Sequence, residues 1–243
     1  MSRETYQTID IRREGAAAWV TINHAPLNVL DADLMQDING FAGAAALDDN
    51  LQVIVFQSAD PDFFIIHGDM NFVDAPEALM NLDLGDPGTE HLNPMMRLHE
   101  RLRALPQVTI GKLAGLARGG GAEFLSALDM RFAARGTAGI AQMEALIGII
   151  PGAGGTAYLP GLVGRARALE ITVGAALFDA EMAERYGWIN RVLPAEELDG
   201  FVDDLARAIG SRAPGVVRAA KRAINAARPN LSAALDVNSQ LLD

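Results

Sequence analysis

The stretch that decides the fold is Gly115-Leu116-Ala117-Arg118-Gly119-Gly120-Gly121-Ala122-Glu123. It follows a predicted strand at residues 108–113 and precedes a predicted helix at residues 122–128 and another strand at residues 130–134. At the start of a helix the backbone N–H groups lack intrahelical partners, and with the helix dipole they favour a developing negative charge. The triple glycine therefore predicts an oxyanion-binding turn between a strand and a helix.

The spacing of Gly120 and Glu123 places them on one side of the first helical turn. One residue can bind an oxyanion through its N–H while the carboxylate of the other reaches the adjacent carbon. Two alternatives stay open: the glycines only permit close packing, and Glu123 is an exposed acid stabilised by the helix dipole. A dinucleotide-binding loop is disfavoured, because it needs Gly-x-Gly-x-x-Gly after the first strand and an acidic partner about 20 residues further on.

Two further segments carry candidate groups. One is Phe63-Phe64-Ile65-Ile66-His67-Gly68-Asp69-Met70, where Gly68 permits a backbone conformation that aims its N–H into a cleft. The other covers residues 142–156, where apolar neighbours would raise the pKa of Glu144, so that it could act as an acid near neutral pH. The alternative for Glu144 is a surface carboxylate. His67 is interpreted as a hydrogen-bonded structural histidine rather than a catalyst, because no Ser or Asp partner is evident.

Strands and helices alternate through the rest of the chain. Other strands are predicted at residues 8–13, 18–22, 51–56 and 188–193, and other helices after Asp31, at residues 95–105 and 165–172, and after Asp179. Everything beyond Pro194 is predicted to be helical. We therefore predict an α/β core over residues 1–193 and a helical region over residues 194–243. The Gly- and Pro-rich segment at residues 74–94 is predicted to form loops or a mobile helix that affects pocket size.

Composition narrows the classes of function. The 243 residues are half hydrophobic and carry a formal net charge of −11, which disfavours binding to nucleic acid or to anionic membrane surfaces. The absence of cysteine excludes disulfides and thiolate sites, and a reducing cytoplasm is the expected location. Glycine or proline interrupts the hydrophobic stretches, so we expect a soluble protein without a membrane span. The four histidines lack the spacing of metal ligands, so no metal site is expected.

These motifs together resemble the enoyl-CoA hydratase/isomerase (crotonase) family from about Ile9 to Asn225. The resemblance rests on residues 115–123, on Glu144 and the Ile149-Ile150-Pro151-Gly152-Ala153-Gly154-Gly155-Thr156 segment after it, and on Leu159-Pro160-x-Leu-Val-Gly-Arg. It implies an α/β spiral of repeated ββα units with a C-terminal helical region, assembled as a homotrimer or a dimer of trimers. An acyl-CoA ligand is expected to lie bent across the core.

The resemblance also implies catalytic roles. It assigns the two oxyanion amides to Gly68 and Gly120, the base that activates water to Glu123, and the acid that protonates C2 to Glu144. Coenzyme A is expected only as part of the substrate, without a separate cofactor. The expected reaction is hydration of a 2-enoyl-CoA to a 3-hydroxyacyl-CoA. Open alternatives are a double-bond isomerase that needs one carboxyl, Glu144, other reactions through the same enolate, and a non-catalytic acyl-CoA-binding scaffold.

The CoA-binding residues are expected to be Asn28, Ile66, Gly68 and Arg118. In the family the adenine is held through backbone carbonyls around Ile66 and Gly68. Arg118 stands where leucine is common, and it either meets a CoA phosphate or is a solvated side chain. The loop departs from the usual Ala-Gly-Ala-Asp, because His67 sits where glycine is common. The chain also ends at Asp243, earlier than relatives whose last helices pack on a neighbouring subunit, which indicates either truncation or missing helices.

Overall fold

The computed structural model describes residues 6–75, 77, 79, 82, 84–85, 91–227 and 231–240. Its strands are β1 (Ile9–Glu14), β2 (Ala17–Ile22), β3 (Val53–Ser58), β4 (Phe63–Ile65), β5 (Val108–Leu113), β6 (Leu116–Arg118), β7 (Met130–Ala134), β8 (Gly139–Ala141), β9 (Phe178–Asp179) and β10 (Arg191–Leu193). They form a six-stranded sheet in the order β1-β2-β3-β5-β7-β10 and a four-stranded sheet in the order β4-β6-β8-β9.

The helices surround these two sheets. They are α1 (Ala32–Ala46), α2 (Asn71–Asp74), α3 (Pro94–Ala104), α4 (Gly120–Ala127), α5 (Gly155–Val163), α6 (Arg165–Gly174), α7 (Ala180–Tyr186), α8 (Ala195–Gly210), α9 (Pro214–Ala226) and α10 (Leu231–Gln240). A short 3-10 turn covers Glu144–Ile147. Within the described part of the chain, no helix combines the length and apolar character needed to cross a bilayer.

Successive pairs of strands build both sheets at once. In each pair, β3 with β4, β5 with β6 and β7 with β8, the first strand joins the larger sheet and the second joins the smaller one. Within each sheet the equivalent strands run parallel. This arrangement confirms the predicted α/β architecture of repeated ββα units.

The core lies around the larger sheet, whose central strands are buried on both faces. The apolar runs of β2 and β3 are almost fully enclosed, as expected for strands covered by helices. Asp31 caps helix α1, since its carboxylate accepts from the Leu34 N–H at 3.0 Å. Helix α8 packs on the same sheet, and its Asp203 accepts from Trp19 Nε1 at 2.8 Å.

Most of the predicted elements are present, and the differences lie mainly in the smaller sheet. The predicted strands at residues 51–56 and 188–193 begin later, at Val53 and Arg191. The residue patterns did not predict β4, β6, β8, β9 or helix α5. Much of the segment at residues 74–94 lies outside the described residues. The helical character beyond Pro194 is confirmed where the chain is described, while the division at residue 193 stays a prediction.

The smaller sheet brings three candidate segments to one place. Strands β4, β6 and β8 are parallel neighbours, so their carboxyl ends lie at the same edge. The chain leaves these ends at Ile65, Arg118 and Ala141 and continues into the Gly68 loop, the triple glycine and the Glu144 turn. The fold therefore gathers residues that are up to 76 positions apart in the sequence, from Gly68 to Glu144.

Candidate active site

The backbones of Gly68 and Gly120 approach each other closely beside the smaller sheet. A Cβ built on Gly120 would lie 3.1 Å from the Gly68 nitrogen, so the two backbones are in close contact. Leu30 fixes the Gly68 loop from both sides, because its N–H donates to the His67 carbonyl at 2.9 Å and its carbonyl accepts from the Asp69 N–H at 3.1 Å. Neither the Gly68 nor the Gly120 N–H donates to another described residue. Both N–H groups are therefore free to bind a ligand oxygen.

Glycine is required in this triplet because other parts of the backbone come very close to it and because one of its residues has an unusual backbone conformation. A Cβ on Gly121 would lie 2.1 Å from the Ile65 carbonyl oxygen, so only glycine lets α4 approach β4 this closely. Gly119 has a φ of 52°, and a Cβ there would lie 3.3 Å from Glu144 Oε1. The packing role of the glycines and the site they form are thus both features of the same turn.

Glu123 lies in the first turn of α4 and is almost fully enclosed, with 2% of its surface exposed. Its Oε1 accepts from the Ala153 N–H and the Gly155 N–H, both at 2.8 Å. The alternative of an exposed helix-start acid is therefore wrong. Burial, and to a smaller extent the charge of Glu144, raise the pKa of Glu123 to about 8, whereas the two amide bonds lower it.

Glu144 opens the 3-10 turn and is partly exposed. Its carboxylate lies over Gly119, on the same side as the Gly68 loop. The buried Gln142 side chain satisfies its hydrogen bonds when its amide nitrogen points to Glu144. In this orientation the nitrogen donates to both Glu144 oxygens at 3.2 Å. Burial raises the pKa of Glu144 to about 6, and backbone hydrogen bonds from the Glu144 and Met143 amides oppose this rise.

The two carboxyls titrate as a pair. Because their pKa values are about 6 and about 8, the pair holds one proton near neutral pH. The two values belong to the pair, and the sequence interpretation gives the acid role to Glu144. The two N–H donors on Glu123 favour its ionised form, which suits it to act as the base. A pair with one proton contains one acid and one base, which is the set that water addition requires.

The residues expected to bind CoA have different surroundings. The Asn28 side chain is buried within the protein, donating to Ser58 Oγ at 2.8 Å and accepting from the His24 N–H at 2.8 Å. Ile66 is buried and donates its N–H to the Asn28 carbonyl at 3.3 Å. Arg118 is partly buried, and its Nε has no hydrogen-bond partner among the described residues. Asn28 therefore supports the Gly68 loop through its hydrogen bonds within the protein. The CoA contacts of these four residues stay predictions.

His67 makes the hydrogen bond expected of a structural histidine. Its Nδ1 lies 2.7 Å from the Gly68 carbonyl oxygen, which acts as the acceptor. The imidazole therefore occupies a carbonyl that was expected to meet the adenine. Its Cβ also stands 3.8 Å from a Cβ built on Gly119, so the ring borders the site.

Comparison with known proteins identifies the family. The sequence profile described as enoyl-CoA hydratase/isomerase matches residues 12–243. The chain belongs to the enoyl-CoA hydratase/isomerase family. One relative, named short-chain-enoyl-CoA hydratase, from Clostridium acetobutylicum, is 30% identical over 216 residues, which cover 88% of this chain and 80% of the relative. Another, named crotonyl-CoA hydratase, from Syntrophomonas wolfei, is 29% identical over 221 residues, covering 90% and 82% of the two chains.

Solved structures confirm the crotonase-type fold. A Streptomyces avermitilis protein, described provisionally as an enoyl-CoA hydratase, superposes with a TM-score of 0.91 at 47% identity, covering 98% of this chain and 85% of that chain. An enoyl-CoA hydratase from Bacillus anthracis superposes with a TM-score of 0.80 at 27% identity, covering 97% and 90% of the two chains. The C-terminal helical region is part of this shared fold.

Within this family site, the sequence patterns missed the groups that hold the glutamates. The Ala153 and Gly155 amides bind Glu123, and Gln142 contacts Glu144. No spacing rule marks these residues, because each acts through a contact made only in the folded chain. The sequence does contain a signal for the helix cap at Asn93, because Asn followed by Pro is typical of a helix start. In the structure Asn93 caps α3 by accepting from the Met96 N–H at 3.0 Å.

Proposed function

We propose that this chain catalyses the hydration of a 2-enoyl-CoA to a 3-hydroxyacyl-CoA. The observation that carries the proposal is the presence of two carboxyls, Glu123 and Glu144, beside the paired amides of Gly68 and Gly120. A proton shuttle for double-bond migration needs only one such carboxyl. The hydratase names of the Clostridium acetobutylicum and Syntrophomonas wolfei relatives support the same reaction.

The paired amides prepare the substrate for attack. The thioester oxygen accepts from the Gly68 and Gly120 N–H groups, which stabilise the negative charge that develops on it. Gly120 contributes more than a single donor, because it starts α4 and lies at the positive end of the helix dipole. Polarisation of the thioester withdraws electrons from the conjugated double bond, so C3 becomes electrophilic.

The two glutamates complete the addition of water. Glu123 removes a proton from a water molecule while the water oxygen bonds to C3, and the electron pair of the double bond moves into the thioester enolate. Glu144 then gives its proton to C2, and the enolate returns to the thioester. The net change is addition of one water, and the proton lost by Glu144 is balanced by the proton gained by Glu123.

The experiment that tests this proposal is incubation of the purified protein with crotonyl-CoA. We expect loss of the conjugated enoyl absorbance and formation of a product heavier by one water, identified as 3-hydroxybutyryl-CoA. Activity with 3-enoyl-CoA alone would instead establish the isomerase. Absence of turnover with a panel of 2- and 3-enoyl-CoA thioesters, with binding retained, would establish the scaffold function.

We also propose that the chain works as a homotrimer or a dimer of trimers. Apolar side chains are exposed on the 3-10 turn and on α6, which pack against each other, and on the segment after α6. They are Leu146 (65% exposed), Ile147 (55%), Leu169 (46%), Val173 (69%) and Leu177 (53%). Contact with other copies of the chain would remove this apolar surface from water. Light scattering should give a mass of three or six chains, and Val173→Asp should lower it.

The cellular setting of this reaction completes the proposal. The chain has no cysteine, which suits a reducing cytoplasm, and we place the enzyme there. Coenzyme A takes part as a portion of the substrate. We expect no separate cofactor, because in this proposal the two amides polarise the thioester and the two glutamates transfer the protons. Activity of the protein after dialysis against a chelator is the expected result.

A further inference from the structure

The turn that holds Glu123 is itself held by side chains from two distant helices. Three successive carbonyls of this turn each accept a hydrogen bond from a side chain. The pairs are Asn238 Nδ2 to the Pro151 oxygen at 3.1 Å, Asn93 Nδ2 to the Gly152 oxygen at 2.7 Å and His99 Nδ1 to the Ala153 oxygen at 2.8 Å. His99 and Asn238 are themselves buried. The conformation of the turn is therefore fixed by α3 and α10.

The contact made by Asn93 acts directly on a donor to Glu123. The Gly152 carbonyl and the Ala153 N–H belong to one planar peptide unit, so fixing one fixes the direction of the other. Asn93 binds the carbonyl end of this unit, and Glu123 Oε1 accepts from its N–H end at 2.8 Å. Rotation of the peptide would break both bonds together.

The second donor, the Gly155 N–H, is fixed in a different way. The carbonyl of its peptide unit belongs to Gly154, and it accepts from the Ala157 and Tyr158 N–H groups at 2.9 and 3.0 Å. The start of α5 thus holds the Gly155 amide without help from a side chain. Only the Ala153 amide depends on Asn93 in this way.

Asn93 uses both ends of its side chain. Its Oδ1 caps α3 by accepting from the Met96 N–H, while its Nδ2 donates to the Gly152 carbonyl. Serine is an equally good helix cap, but its shorter hydroxyl does not replace the amide donor. The substitution Asn93→Ser therefore separates the cap from the contact with the turn.

His99 supplies a donor that does not change with pH in the working range. It is fully buried, and its ring lies edge-on to Phe124 with centroids 5.7 Å apart. Burial lowers the pKa of His99 to about 4, so the ring is neutral at neutral pH. The Ala153 carbonyl accepts from Nδ1, so Nδ1 carries the proton, and Nε2 has no partner among the described residues. A neutral ring in one tautomer thus holds the carbonyl.

We propose that Asn93 and His99 are positioning residues for Glu123, which hold the turn at Gly152 and Ala153 so that the Ala153 N–H stays on the Glu123 carboxylate. The proposal rests on the proposed function, since it assigns these residues a role in the reactivity of the base. Neither residue is expected to touch the substrate, because both contact the turn on the side away from its amide donors.

Other ionisable groups near Glu123 stay unchanged in the test variants. They are Glu144 in the site and the group formed by Tyr158, Glu100 and Arg103 behind the turn. The Tyr158 hydroxyl donates to Glu100 at 2.9 Å, and Arg103 pairs with Glu100 at 3.0 Å. Asn93→Ser introduces no charge, so a change in the pH profile reports the Glu123 contact.

The kinetic test compares Asn93→Ser with the wild type. We expect kcat to fall at least about tenfold with KM changed less than about twofold, because the loss affects the reacting base rather than substrate binding. The pH window of activity should move to higher pH, since Glu123 loses a donor to its ionised form. The control is Asp179→Ala, which removes the cap of α7 at the end of β8 opposite to the Glu144 turn and should lower the melting temperature without changing kcat.

The histidine is tested by a matched pair. His99→Leu removes the donor to Ala153 and should lower kcat, whereas His99→Asn keeps an amide nitrogen close to the Nδ1 position and should recover most of it. Equal losses in the two variants, or a loss of kcat that follows the melting temperature across all four variants, would overturn the positioning role.

A crystal structure of Asn93→Ser separates this proposal from the proposed function. We expect the distance from the Ala153 nitrogen to Glu123 Oε1 to exceed the 2.8 Å of the wild type by enough to break the bond. An intact bond overturns the proposal whatever the kinetics show, and a broken bond with unchanged kcat does so too. Absence of hydration in the wild type would defeat the proposed function alone, because the crystal structure still decides the positioning of Glu123.

Discussion

Glu123 and Glu144 are the same residue type in two contrasting regions of one site. Glu123 is enclosed, 2% exposed, and bound through one oxygen by two backbone amides at 2.8 Å. Glu144 is partly exposed on a 3-10 turn whose following residues, Leu146 and Ile147, face outward. Burial raises the pKa of both, to about 8 and about 6 respectively. The difference in burial therefore gives two chemically identical groups different pKa values.

This difference suits the two glutamates to different parts of the proposed catalytic cycle. In the proposed mechanism one hydration moves a proton from Glu144 to Glu123, so the pair must be reset before the next turnover. Partly exposed Glu144 can exchange its proton with solvent, whereas buried Glu123 exchanges through the site. We infer that the enclosed region supplies a fixed base and the open region supplies the link to solvent.

The largest effect that tests this contrast comes from removing each carboxylate. Glu123→Gln should lower kcat for crotonyl-CoA hydration by about 10³-fold, and Glu144→Gln by about 10²-fold or more, because each removes one proton transfer. The measurement is steady-state kinetics with acyl-CoA affinity determined separately. Affinity should stay near the wild-type value in both variants.

The outcomes of this experiment distinguish the alternatives. An isomerase would keep its activity in Glu123→Gln and lose it in Glu144→Gln. A scaffold would show no turnover in any form and unchanged affinity in all of them. Full hydratase activity in either variant would contradict the requirement for two carboxyls.

The next effect concerns the Gly120 amide of the proposed oxyanion site. Gly120→Pro removes the N–H at the first position of α4, where proline fits the helix, and should lower kcat by about 10²-fold. Gly120→Ala keeps the N–H and is the matched control, although its Cβ would stand 3.1 Å from the Gly68 nitrogen. Equal rates in the two variants would show that the Gly120 donor is not used.

A smaller effect is expected on the free energy of unfolding, which tests how tightly the Glu123 and Glu144 regions are packed. Gly121→Ala forces a Cβ to within 2.1 Å of the Ile65 carbonyl and should lower the free energy of unfolding by about 3 kcal/mol. Gly148 ends the Glu144 turn with a φ of 79° and has open space around it. Gly148→Ala should therefore lower the free energy of unfolding by only about 1 kcal/mol, the cost of the left-handed backbone conformation. Denaturant unfolding measures both. Similar losses would mean that the Glu144 region is packed as tightly as the Glu123 region.

The smallest effect is the dependence of activity on pH. The singly protonated pair is the active form in the proposed mechanism, so kcat/KM should be bell-shaped, with limbs near pH 6 and pH 8. Activity should fall about tenfold per pH unit outside this window. Below pH 6 both carboxyls are protonated and no base is left, and above pH 8 both are ionised and no acid is left. A rate that stays flat from pH 5 to 9 would rule out a shared proton.

The sequence predicted the triple-glycine turn better than the sheet that presents it. The triple glycine and the spacing of Gly120 and Glu123 indicated the site, because a helix start has physical requirements that residue types reveal. Strands β4, β6 and β8 escaped prediction because each has three residues, too few for a periodic pattern, and two of them contain glycine or arginine. The family resemblance supplied the ββα architecture that the patterns did not.

The supporting contacts could not be predicted at all. Asn93 and Gly152 are 59 residues apart, and Asn238 and Pro151 are 87 apart, so only the folded chain brings them together. The order of the two pKa values also depends on tertiary burial. Apolar neighbours in the sequence suggested a raised pKa for Glu144, yet the more enclosed carboxyl is Glu123.

The most direct test of the central claim is a crystal structure with a bound, non-reacting acyl-CoA. We predict that the thioester oxygen lies within about 3.2 Å of both the Gly68 and the Gly120 nitrogens. The carboxyls of Glu123 and Glu144 should stand over C3 and C2. A thioester oxygen bound by only one amide, or an acyl chain on the far side of the sheet from both glutamates, would contradict the account.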